Sequence, residues 1–267
     1  MFTDIATGVL FMVLPLLFAP LHCRFLFVLF FRKDLWDHQA YQLIGQSHIF
    51  VCIMIPFYVA LSIVFLFESS WYQLVGISTT MIDSTVTCVS AIDVVLALNR
   101  LDTICSLRCP SWIYTVLKGL IWIIGIFLSS IRFSPLAGVH PTGVLMVPDA
   151  SLPVEIFLAT AIKYFLLSCT IISFLFYLTI VFYLVKKRVA QKQVTVLSVE
   201  KCILYQACLK FAGDAIVCIS YNFIFLESQS EFLKGFFGIL SMANFICFAP
   251  ILLLVANKTF RKAVCGF

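Results

Sequence analysis

Five ionisable side chains, Asp83, Asp93, Lys163, Lys210 and Asp214, stand inside long apolar runs. A charge at the centre of a membrane helix costs roughly 2.5 to 3.5 kcal/mol on the insertion scale, so each must face a bundle interior or a water-filled cavity. Lys210 and Asp214 are four residues apart, share a helix face and satisfy each other. Asp93 stands seven residues before Arg100, on nearly the same face and about 10 Å along the axis; it tunes Arg100 through water or bonds polar neighbours. Asp83 and Lys163 fall at comparable depth. They either line a ligand pocket, with Tyr164, Tyr221 and Asn222 as neighbours, or form a salt bridge between two helices. Arg100 ends the run Leu96-Ala97-Leu98-Asn99, where its planar fork can grip acids or carbonyls of a partner or simply mark the membrane face. Glu200, at the base of a later run, is a partner for Arg100, with Lys192 and Lys201 equally natural companions.

These charges do not assemble into a catalyst. No CxxC, Cys/His cluster, paired aspartates or Ser/His constellation occurs, so neither an enzyme, a metal site nor a cofactor is expected. Most of the 11 cysteines lie singly in apolar runs and read as buried thiols. Cys105, Cys109 and Cys265 fall beside one membrane face, where S-palmitoylation occurs.

The elements that carry these residues must be membrane helices. The chain has 267 residues, 62% hydrophobic and 12% charged, with a mean hydropathy of +1.07. A water-soluble domain of that composition could not cover its surface. Seven runs near the length of about 20 residues that spans a bilayer lie at about 5–31, 41–67, 74–98, 113–131, 156–185, 202–226 and 232–256, with a basic tail at 257–267. The pattern lacks the two-residue alternation of a barrel. The expected fold is therefore an all-α, seven-transmembrane helix bundle forming a single domain, 1–267. Pro15, Pro20 and Pro56 fall inside its first two spans, His22 and Arg24 snorkel toward an interface, and the connection Arg132–Glu155 is expected to be irregular.

Charge sets the orientation. Arg32, Lys33, Arg100, Arg108, Lys186, Lys187, Arg188, Lys192, Lys201, Lys258, Arg261 and Lys262 fall on one side, against Arg132 and Lys234 on the other. The N-terminus is thus predicted outside and the C-terminus in the cytoplasm. The tail, Lys258 to Val264, reads as a basic amphipathic piece drawn to anionic membrane lipids.

Seven helices with the N-terminus out, Asn99-Arg100 ending the third, a basic third inner loop and a short basic stretch after the seventh resemble the rhodopsin-like G-protein-coupled receptors. The small size, tiny N-terminus and Ala97-Leu98-Asn99-Arg100 look like the nematode serpentine chemoreceptors, of class X or class T. The pattern departs from the receptor group in three places. Asn99 replaces an acid before the arginine, Asn244 stands six residues before Pro250 with no following tyrosine, and no cysteine lies between Arg132 and Glu155 for the usual outer disulfide. The resemblance implies a chemosensory receptor in the plasma membrane, including the cilia of sensory neurons. A small-molecule ligand would bind among the helices and shift the population of packing states, and a heterotrimeric G protein would dock at the inner face. It also implies switch roles for Asp93, Asn99, Arg100 and Glu200. Asp83 lies seventeen residues before Arg100, whereas amine receptors place an aspartate eighteen before, so amine binding is not carried over.

Other classes fit less well. A seven-helix transporter would show two similar halves, and Pro15, Pro20 and Pro56 have no matching set later in the chain. An olfactory-type ligand-gated channel would have the opposite orientation. An opsin needs a lysine within the last span, where only Lys234, at its mouth, occurs. Nothing points to nucleic acid.

Overall fold

A computed structural model describes residues 2–67, 71–134, 139–142, 145–148, 152–191, 197–220, 231–256, 261, 262 and 264. The helices are α1 (Phe2–Phe31), the short α2 (Lys33–Trp36), α3 (Gln39–Phe67), α4 (Tyr72–Cys105), α5 (Ser111–Arg132), α6 (Pro153–Gln191), α7 (Leu197–Ile219), α8 (Glu231–Ala243) and α9 (Ala249–Ala256). A π turn, Asn244–Phe248, joins α8 to α9 into one rod. Leaving α2 aside and counting that rod once, the fold is an all-helical, seven-span bundle. Among the described residues six helices are long and apolar enough to cross a membrane.

Pro15 and Pro20 sit inside α1, and Pro56 inside α3, without ending either helix, because neighbouring helices can accommodate the lost bonds. Helix α4 is the central post, packed against α3, α5 and α6. Its buried side chains run from Val75 through Ile82, Cys88 and Ile92 to Asn99. Helix α4 continues past the expected end at 98 to Cys105, where Ser106 enters the left-handed region at φ 55° and stops it. Small residues allow the close approaches: a Cβ on Gly125 would stand 2.6 Å from Cys88 Sγ. Outside the bundle, Leu17, Phe31, Ile126, Phe157, Phe182 and Val255 are exposed, as a lipid-facing surface requires.

The connection after Arg132, expected to be irregular, contains a described hairpin. Strands β1 (Val139–Thr142) and β2 (Leu145–Pro148) form an antiparallel hairpin, with Thr142 opposite Leu145, whose backbone lies against α4 and α6. Gly143 falls between the strands, and the β-favouring Val139, Leu145 and Val147 flank it. At the other end, Val264 is buried in a cluster with Phe25, Val28 and Leu35. Arg24 Nε donates to the Val264 carbonyl (3.3 Å), and Arg261 Nη1 donates to the carbonyls of Leu254 (3.4 Å) and Val255 (3.2 Å). The tail thus folds back under α1 and caps α9 through its last carbonyls.

Candidate functional site: a polar belt and its cavity

A belt of polar contacts threads the bundle through the π turn. His22 on α1 and His48 on α3 are buried, with their Nδ1 atoms 2.7 Å apart. His22 Nε2 donates to the Ile246 carbonyl at 2.9 Å, so the neutral His22 must accept at Nδ1 and His48 Nδ1 must carry the shared proton. The π turn, which opens the helical ladder and is frequent at functional sites, also presents Asn244. Its Nδ2 donates to Asp214 Oδ1 at 2.7 Å. Asp214 pairs with Lys210 one turn earlier on α7, and Lys210 Nζ reaches across to Asp93 Oδ2 on α4 at 3.3 Å. The Phe245 ring lies under the same ammonium, 5.3 Å away.

The belt encloses a cavity of about 120 Å³. His22, His48, Ser90, Asp93, Ser173, Tyr177, Lys210 and Asp214 line it, and Arg100 closes one end. Apolar side chains, among them Leu43, Val51, Ile92, Phe211 and Phe245, form most of the remaining wall, and the polar groups and the volume suit a few waters. Arg100 is half-buried, with Tyr41 and Tyr177 close enough to feel its charge, and it makes no ion pair among the described residues.

Beyond Arg100, α4 holds the following loop through an acid that sequence reasoning passed over. Asp102 accepts from the Cys109 backbone N–H at 3.0 Å and from the Tyr114 hydroxyl at 3.1 Å. Tyr114 is fully buried. Partial burial, together with the Asp102 carboxylate, pushes the Cys109 thiol above its ordinary range, which lowers its thiolate fraction and its reactivity toward acylation.

At the opposite end of the bundle stands a second ionic cluster. Arg132 Nη1 donates to Asp83 Oδ2 at 2.6 Å and Nη2 pairs with Glu155 Oε1 at 3.2 Å. One guanidinium therefore links α4, α5 and α6.

The sites expected from sequence fall unevenly on this geometry. Asp93, Arg100, Lys210 and Asp214 share the cavity; Asn99 is buried but does not line it. The cation that Asp83 finds is Arg132 instead of Lys163, and neither Asp83 nor Lys163 lines the cavity. Tyr164 is 61% exposed, open to the surroundings of the bundle, so its expected place in a pocket is corrected; one residue on from Lys163 is a rotation of about 100°. Tyr221, Asn222 and the Glu200 side chain lie outside the described residues. His22 does not snorkel but turns inward. His48 and Asp102 were missed altogether, and Arg132 and Asn244 were noted only as a loop cation and a departure in the last span, not as site residues. For Arg132 a signal existed, an arginine at the end of an apolar run beside a connection poor in other cations.

The arrangement of spans defines a rhodopsin-like seven-helix bundle. Among solved structures, the crystal structure of squid rhodopsin is similar to it, with a TM-score of 0.77, 12% sequence identity and coverage of 98% of this chain and 84% of that one. No protein-family model matches the chain, and no curated protein matches it by sequence. Likeness at that identity is a likeness of fold.

Proposed function

We propose that the chain is a G-protein-coupled chemosensory receptor of the plasma membrane, akin to the nematode serpentine chemoreceptors. The observation that carries the reading is a rhodopsin-like bundle over almost the whole chain with an internal cavity lined in part by Arg100, which makes no ion pair among the described residues. A half-buried guanidinium is costly to leave unpaired, so it suits a docking partner that offers carboxylates or carbonyls. On this reading the N-terminus is outside, the Arg100 end faces the cytoplasm and a heterotrimeric G protein, and a small-molecule cue binds nearer the Asp83–Lys163 level, with Tyr221 and Asn222 as neighbours. Asp93, Asn99, Arg100 and Glu200 form the switch, and no bond-making chemistry is involved.

The test is expression in cells carrying a G-protein dissociation reporter, screened with small volatile and soluble molecules. A cue that dissociates the G protein in the wild type and not in Arg100→Ala at equal surface level is expected. An unchanged response in Arg100→Ala removes that role, and a cue-evoked current without G-protein dissociation would replace the receptor by a channel.

A further inference from the structure

We infer that the tie holding α7 in the resting arrangement is the Asp93–Lys210 contact in mid-bundle, and that it is built to open. The backbones of α4 and α7 do not pack closely along their lengths. Between them lies the cavity, bridged by Lys210 Nζ to Asp93 Oδ2 at 3.3 Å. Three features make the bridge releasable. Lys210 keeps a second acid, Asp214, four residues on along its own helix, so its charge stays paired when Asp93 lets go. Asp93 Oδ2 receives no hydrogen bond, so the contact is a bare ion pair with less directional hold. The cavity offers water to the released carboxylate, which removes much of the desolvation penalty that otherwise follows the breaking of a buried pair.

The seventh span is coupled to the same latch. Asn244 in the π turn grips Asp214, and Gly213 permits this approach, since a Cβ there would lie 2.5 Å from Asn244 Oδ1. A shift of α7 therefore pulls on the π turn, which His22 anchors to α1 through the Ile246 carbonyl. Opening of one long ion pair would release two spans together.

The mechanical claim does not depend on signalling; its consequence for basal activity rests on the receptor reading. Purified protein in lipid nanodiscs is compared by hydrogen–deuterium exchange as wild type, Asp93→Asn and Asp93→Glu. Asp93→Asn is nearly isosteric and leaves Lys210 paired to Asp214, so it should fold. Exchange in the Leu197–Cys208 half of α7 is expected to rise roughly tenfold in Asp93→Asn and to return toward wild type in Asp93→Glu. Unchanged exchange in Asp93→Asn, or equal loosening in Asp93→Glu, overturns the inference. In cells, Asp93→Asn is expected to raise basal G-protein dissociation. Loosened α7 with silent signalling would keep the latch and count against the receptor reading instead.

Discussion

The bundle contains two ionic clusters of the same composition, each with two carboxylates and one cation, and they are built to opposite ends. In Asp83–Arg132–Glu155 the cation is a planar fork that reaches acids on two other helices; the Arg132 and Glu155 side chains are 4% and 0% exposed, while Asp83 is 38% exposed. In Asp93–Lys210–Asp214 the cation is a point charge, one of its acids lies on its own helix, and all three side chains border a cavity. A buried guanidinium bonded to acids on two neighbouring helices acts as a clamp. An ammonium beside a cavity, with its second acid on its own helix, can exchange, and so acts as a latch. Arginine and lysine are not interchangeable for this reason. The clamp also occupies the end where a rhodopsin-like receptor would usually carry a disulfide, and the chain has no cysteine between Arg132 and Glu155 to make one.

The comparison breaks most visibly at the clamp. Arg132→Met should strand Glu155 and Asp83 and lower stability by about 3 to 5 kcal/mol, read as a large fall in melting temperature in detergent. A loss near that of an exposed pair would mean the clamp holds no more than a surface bridge. Gly213→Ala comes next: overpacking against Asn244 should cost about 1 to 3 kcal/mol and shift exchange at the π turn, and a neutral result would mean α7 and the seventh span can separate freely. His22→Phe leaves the Ile246 carbonyl and His48 without their partner, for about 1 to 3 kcal/mol, detectable by the same melting assay. Last is Tyr114→Phe, which removes a hydrogen bond to the Asp102 carboxylate and about 1.5 kcal/mol, the low end for a bond to a charged group. Its effect should be confined to exchange in the loop after α4.

The spans were legible because apolar length is a strong signal, and the Lys210–Asp214 pair because its spacing is local. What spacing could not show was partnership across helices. Arg132 counted as a loop cation until the fold carried it inward beside Asp83, forty-nine residues away in sequence. His22 sits in a helix that is apolar all round, so periodicity could not say which side faces the core, and its inward turn depends on His48 and on a carbonyl of the seventh span. The π turn leaves no mark in composition. Helix α4 outran its apolar stretch because Asp102 and Thr103 are tolerated beyond Arg100, where Asp102 finds donors in the next loop.

The most direct test of the account is topological. Each end is tagged separately and cells are stained with and without permeabilisation. An exposed N-terminus with a hidden C-terminus is the predicted result, putting Arg100 on the cytoplasmic side. The reverse orientation would contradict the receptor reading, and both ends on one face would contradict seven spans.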